Sequence, residues 1–239
     1  VSVVNVSLSL RGKRRAGVKQ IEFKLSDQHS SDNQNSPSAK SKSHGAPITA
    51  PITYIKGFLS RGEQQQLLAD ADSYPFEKPI ITLFGKQHPI PRAQVWFADP
   101  GCEYQYSSLL ISPQPWPHLL ADLRQRLRDE LQFNCNGVLV NRYQNGLDSM
   151  GWHSDDEPEI VANSAIVSVS IGASRTFALR HKSLNIKQNV ELESGDLLIM
   201  HQGMQSQWQH AVPKRLKVKN CRLNLTFRQL IVGYHQLKG

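Results

Sequence analysis

From Gly137 onward, apolar residues recur at every second position, and that period admits a sheet and little else. Val138 to Tyr143, Ala165 to Ile171, Thr176 to Arg180, Val190 to Leu192, Leu197 to His201 and Arg222 to Gln229 each read as a strand. Asn145-Gly146 and Ser194-Gly195-Asp196 supply turns between them. Upstream the pattern is helical. Ser60-Arg61-Gly62-Glu63 is a capping box, and Leu67, Leu68 and Ala71 then form an apolar stripe, which predicts a helix to about Ser73. A second helix is predicted after Pro115 and Pro117, with Leu119, Leu120, Leu123, Leu127 and Leu131 along one face. Short strands following two helices predict a mainly β fold with flanking α-helices, a β-sandwich or jelly roll.

The ordered domain is expected to begin near Ile48. Residues 26–46 are almost wholly polar and bury too little surface to offset the entropy of ordering, so residues 1–47 read as a disordered basic tail. That tail holds eight Lys/Arg against three Asp/Glu, a surplus of five within a net charge of +8. The body is therefore only mildly basic, and a polyanionic partner has to be argued from placed residues. Apolar runs fall short of the ~20 residues a membrane-spanning helix needs. No basic run precedes an apolar one, so no secretory signal is read. Three cysteines (Cys102, Cys135, Cys221) without a C-x-x-C pair argue against a disulfide framework or a four-thiolate zinc site, and a reducing cytoplasmic setting is expected.

His153 and Asp155 form an H-x-D pair just beyond a strand and a glycine turn, and residues two apart in extended chain share a side. A chain of this length holds about one such pair by chance, so a third ligand decides. His210, 55 residues after Asp155, completes two imidazoles and one carboxylate, the facial triad of non-haem Fe(II) oxygenases. The competing reading is a satisfied structural histidine. In the last strand Leu223, Leu225 and Phe227 take one face, while Arg222, Asn224, Thr226 and Arg228 take the other, the expected interior of a barrel mouth. Two inward arginines are costly without an anion, and Asn141 and Tyr143 repeat the polar pattern on another strand. An iron triad beside an inward site for a dicarboxylate points to 2-oxoglutarate.

Four blocks carry a resemblance: Asn141-Arg142-Tyr143-Gln144-Asn145-Gly146; Trp152-His153-Ser154-Asp155-Asp156-Glu157; Ser168 to Arg175; and His210 with Arg222 to Arg228. Over roughly Ile80 to Ile231 the chain resembles the AlkB family of Fe(II)/2-oxoglutarate dioxygenases, in particular the members that repair alkylated bases in duplex DNA. The resemblance implies a double-stranded β-helix over residues 48–239, with a nucleotide-recognition part at 80–110 and a catalytic core at 136–231. It implies Fe(II) on His153, Asp155 and His210, and O2 and 2-oxoglutarate as co-substrates. Arg228 and Asn141 would engage the metal-chelating end of 2-oxoglutarate; Arg222, Tyr143, Asn224 and Thr226 would hold the distal carboxylate. The implied reaction hydroxylates the N-methyl of 1-methyladenine or 3-methylcytosine, giving succinate, CO2, formaldehyde and the restored base. Asp156 would face the cationic base, with Glu157 the second candidate.

A methyl on the pairing edge requires the base to leave the stack. Phe84-Gly85-Lys86 resembles the finger that duplex-repairing members insert into the vacancy, and Tyr104 with Tyr106 resembles the aromatic floor under the flipped base. Lys214, Arg215 and Lys217, extended by Arg175, read as contacts to the phosphate backbone, the bland reading being a solvated hairpin. DNA is thus the expected partner, duplex before single-stranded, with RNA the alternative polymer; a metal-free nucleic-acid-binding β domain is the non-catalytic alternative. Nothing calls for an obligate assembly, so a monomer is expected, cytoplasmic or, in a eukaryote, nuclear.

Overall fold

Ser60 opens the first helix: its hydroxyl accepts the Glu63 N–H (3.3 Å) while the Glu63 carboxylate accepts the Ser60 N–H (2.7 Å). The computed structural model describes residues 48–83, 86–106 and 109–237, so the expectations for the tail and for Phe84 and Gly85 lie outside the described residues. In chain order the elements are β1 (Ile52–Ile55), α1 (Arg61–Asp70) with a 3-10 turn (Ala71–Ser73), β2 (Ile80–Leu83), β3 (Lys86–Pro89), β4 (Ala93–Ala98), β5 (Tyr104–Tyr106) and β6 (Leu109–Ile111). They continue with α2 (His118–Leu131), β7 (Gly137–Tyr143), β8 (Met150–His153), β9 (Ile166–Gly172), β10 (Arg175–His181), β11 (Lys187–Leu192), β12 (Leu197–Met200), α3 (Met204–Gln207), β13 (Trp208–Val212) and β14 (Arg222–Arg228).

Two antiparallel sheets face each other, a six-stranded one in the order β1-β12-β9-β14-β7-β4 and a four-stranded one in the order β11-β10-β13-β8. Strand β14 lies in the middle of the large sheet, pairing β7 on one side and β9 on the other. Alternation along it does what the sequence predicts. Leu223, Leu225 and Phe227 are buried against the helices with Leu67, Leu120, Leu123 and Leu127, while Arg222, Asn224, Thr226 and Arg228 face the small sheet. Between the sheets Phe177, Leu179, Leu198, Met200 and Trp208 form a second core. The jelly roll with flanking helices is therefore as expected.

Several strands escape the sequence reading. Strand β4, Ala-Gln-Val-Trp-Phe-Ala, is buried at every position and shows no alternation to detect. Strand β13 hides because its inward position is occupied by His210, a polar residue where the pattern asks for an apolar one. The β2–β3 and β5–β6 hairpins stand apart as two-stranded pairs. Among the described residues no helix is long and apolar enough to cross a membrane.

Candidate active site

Register brings the three ligands together. Strand β8 ends at His153, which lies directly across from His210 on β13, and Asp155 follows two residues on. Their candidate ligand atoms all lie within 4.8 Å of one another. The Asp155 Oδ1 is 3.4 Å from His153 Nε2 and 3.8 Å from His210 Nε2. His153 Nδ1 donates to the Gly151 carbonyl (2.9 Å), which leaves the Nε2 lone pair for a metal. The Asp155 N–H is held by the Gln205 side-chain oxygen at 2.9 Å, and Ser154 Oγ donates to the Trp208 carbonyl at 2.9 Å, so α3 and β13 fix the H-x-D turn. Gln205 is a site residue that sequence reading missed; nothing in its polar surroundings sets it apart.

Electrostatics favour a metal. Burial alone would raise the Asp155 carboxyl, but Arg228 (Nη2 to Oδ2, 3.0 Å) and the two imidazoles outweigh it and hold it well below the usual carboxylate range. Burial, with His153 adding to it, pushes His210 down to about 3, so its ring is neutral and able to donate a lone pair.

The wall opposite is β14. Arg222 Nη2 donates to Ser170 Oγ and to Asn224 Oδ1, both at 2.8 Å. Asn224 accepts from Ser168 Oγ (2.9 Å) and passes its own N–H to Thr226 Oγ1 (2.8 Å). The Arg222 guanidinium lies over the Tyr143 ring, its cross-strand partner, at 5.3 Å. Burial lowers Arg222 to about 10. Asn141 pairs across from Asn224 and accepts from Arg92 Nε at 2.7 Å. Arg92, 2% exposed, and Ser168 and Ser170 are further residues of this wall that the sequence reading passed over. Their signal was the same inward polar alternation, overlooked on strands whose other members are apolar.

Fit to the expected groups follows from atoms left without partners. Nε and Nη1 of both Arg222 and Arg228 have no hydrogen-bond partner among the described residues although both side chains are buried. Four buried guanidinium nitrogens, on two arginines that line one cavity with the His153–Asp155–His210 cluster, suit a dianion beside a divalent metal.

Three expectations need correction. Asp156, placed against the base, instead points outward, exposed, and pairs with Lys182 Nζ at 3.5 Å. Glu157 points inward and accepts the Tyr104 hydroxyl at 2.5 Å. Burial raises its carboxyl, with Asp155 adding to the effect and Arg228 opposing it. Tyr104 is 1% exposed, its ring between Trp96 (5.1 Å) and the Arg228 guanidinium (5.0 Å), so it is a wall that steadies Glu157 and offers no free stacking face. Arg175 is likewise no phosphate contact. It is 1% exposed, and its guanidinium donates to the carbonyls of Asn145 (3.2 Å), Asp148 (2.8 Å) and Pro213 (2.8 Å), which want donors in a buried loop junction. Arg215 gives one N–H to Thr176 Oγ1 but stays at the surface with Lys214 and Lys217. Tyr106 and Lys86 close one strand and open another, and their side chains lie outside the described residues.

A double-stranded β-helix with an H-x-D…H cluster and an inward arginine wall defines a non-haem Fe(II) oxygenase that uses 2-oxoglutarate. Residues 51–228 match the 2OG-Fe(II) oxygenase superfamily. The chain belongs to the AlkB family within that superfamily. It is similar to DNA oxidative demethylase ALKBH2 from Bos taurus (37% identity, covering 70% of this chain and 63% of that one) and from Homo sapiens (36%, covering 70% and 67%). It is also similar to alpha-ketoglutarate-dependent dioxygenase alkB homolog 3 from Mus musculus (36%, covering 74% and 65%). The chain thus spans about two thirds of the length of these relatives. The solved structure of OsALKBH1 shares the fold, with a TM-score of 0.52 at 19% identity over 77% of this chain and 98% of the other.

Proposed function

We propose that this protein removes N-alkyl groups from bases in DNA, taking 1-methyladenine and 3-methylcytosine as substrates. When bound, iron and 2-oxoglutarate supply O2-dependent hydroxylation of the methyl carbon, with succinate and CO2 formed alongside. The hydroxymethyl product then breaks its C–N bond to release formaldehyde. The single observation behind this reading is the set of four guanidinium nitrogens, unpartnered among the described residues, on two arginines that line one cavity with the His153–Asp155–His210 cluster.

His153, Asp155 and His210 hold the metal. Arg228, which already touches Asp155, is at the metal end of the co-substrate together with Asn141. Arg222 stands six residues along the strand at the far end, where Asn224, Thr226 and Tyr143 steady it, and takes the distal carboxylate. Glu157 is the acidic group that meets a cationic base, oriented by Tyr104. A methyl on the pairing edge has to be flipped out of the duplex to reach this cavity. Phe84 and Gly85 take the finger role on the strength of the sequence, and Tyr106 is the remaining aromatic for stacking. Exposed Lys214 and Lys217 supply phosphate contacts, and the similarity to DNA oxidative demethylases favours DNA over RNA.

The test is formaldehyde release from a duplex bearing 1-methyladenine, with Fe(II) and with or without 2-oxoglutarate, beside single-stranded DNA and methylated RNA. Turnover on the duplex that requires 2-oxoglutarate is expected. Turnover confined to RNA replaces the polymer, and no turnover on any of them overturns the reading.

A further inference from the structure

Glu159 is a carboxylate with 0% exposure that the proposed chemistry does not use. Acidic side chains are almost never fully buried without a partner, so its surroundings carry information. Its Oε1 accepts the backbone N–H of Gln105 at 2.6 Å, and Gln105 is the middle residue of β5. Among the described residues its Oε2 has no hydrogen-bond partner, and His235 Nε2, also without one, stands 3.7 Å from Oε1.

Two carboxylates two residues apart therefore grip consecutive residues of one strand: Glu157 takes the Tyr104 hydroxyl, and Glu159 takes the Gln105 N–H. The β5–β6 hairpin joins neither main sheet, so these two contacts add polar anchors to the packing of Tyr104 and Ile111 on Trp96, Leu139 and Leu230. His235 comes from the segment after β14, which is itself pinned across the same region. Ile231 N–H donates to the Glu159 carbonyl (2.8 Å), Gly233 N–H donates to the Gly101 carbonyl (2.7 Å), and Asn136 ties down Leu230 from both sides (2.7 and 2.8 Å). Gly101 has φ +80°, and a side chain there would press on Val232, so the loop before β5 is shaped to receive this segment.

We propose that Glu159 and His235 are positioning residues that clasp the β5–β6 hairpin to the H-x-D loop and so set Tyr104 and Glu157 for the incoming base. This rests on the reading that β5 forms part of the substrate side. Glu159 and His235 make no hydrogen bond to His153, Asp155, His210, Arg222 or Arg228, so the clasp would act on the metal and co-substrate residues only through Tyr104.

The experiment compares wild type with His235→Ala, Glu159→Ala and Glu159→Gln in two measurements. Amide hydrogen exchange is followed over residues 104–111, and KM is measured separately for methylated oligonucleotide and for 2-oxoglutarate. His235→Ala and Glu159→Ala are expected to speed exchange in the hairpin about tenfold, as local opening becomes easier. It is expected to raise KM for the oligonucleotide about fivefold or more, with KM for 2-oxoglutarate and kcat within about twofold. Glu159→Gln keeps the acceptor for Gln105 and should restore most of the hairpin protection. Unchanged exchange over 104–111, or equal losses for both substrates, overturns the proposal. If Glu159→Ala does not fold, His235→Ala decides alone. If wild type turns over no methylated nucleic acid, the functional reading fails while the exchange measurement still decides the clasp.

Discussion

Arg222 illustrates how a residue can be poor for stability and yet well suited to binding an anion. It is 1% exposed, burial lowers its pKa to about 10, and two of its three nitrogens have no hydrogen-bond partner among the described residues. Apolar replacements of such buried charges are often neutral or stabilising by roughly 1–4 kcal/mol. Arg222→Met is therefore expected to leave the urea midpoint of the 2-oxoglutarate-free protein unchanged or higher, while stabilisation by added 2-oxoglutarate disappears. A midpoint that falls together with a retained ligand response contradicts that account. His210 gives a pH prediction. Burial and His153 hold it at about 3 in the folded protein against 6.5 for a free ring. The unfolded chain thus takes up a proton that the native state refuses, and stability falls as pH drops through that window. Asp155, held low as well, adds in the same sense at still lower pH. The metal-free protein is expected to unfold at lower denaturant at about pH 5 than at about pH 7.5, measured by fluorescence after chelation.

Elements carry their own tests. Gly146 donates its N–H to the Val218 carbonyl and accepts from the Arg215 N–H, and any Cβ there would strike the Arg215 carbonyl. Gly146→Ala should therefore displace the Lys214–Lys219 loop, which weakens nucleic-acid binding while leaving 2-oxoglutarate affinity intact; isothermal titration with each ligand separates the two. The helices were legible because the capping box and the 3.6 period are local signals, and β14 because its two faces alternate cleanly. What escaped was depth and direction. Spacing correctly placed Tyr104 on an extended segment, yet only the packing of Trp96 and Arg228 on its ring makes it a wall. Asp156 and Glu157 are adjacent acidic residues, and which one turns inward depends on the path of the chain out of β8, set by contacts from α3 and β13 some 50 residues away. Arg175 looked basic and therefore exterior; the three carbonyls that claim it come from two different loops.

At the scale of the whole molecule, the positive surplus is concentrated in residues 1–47. Neutralising phosphates releases counterions, and the effect fades as salt rises. Removing residues 1–47 is expected to weaken oligonucleotide binding at about 50 mM salt and to matter much less at about 200 mM, with kcat unchanged. Fluorescence anisotropy across a salt series checks this. A lower kcat would assign the tail to the chemistry instead.

Strand β14 slots between β7 and β9, which lie far earlier in the chain. During synthesis, all three candidate metal ligands leave the ribosome before either arginine of the opposite wall does. A product halted at residue 221 would have the metal-binding imidazoles but a large sheet split down its middle, with two raw edges in place of a seam. Such edges invite pairing with other chains, so the strand that supplies the arginine wall is also the one that closes the large sheet.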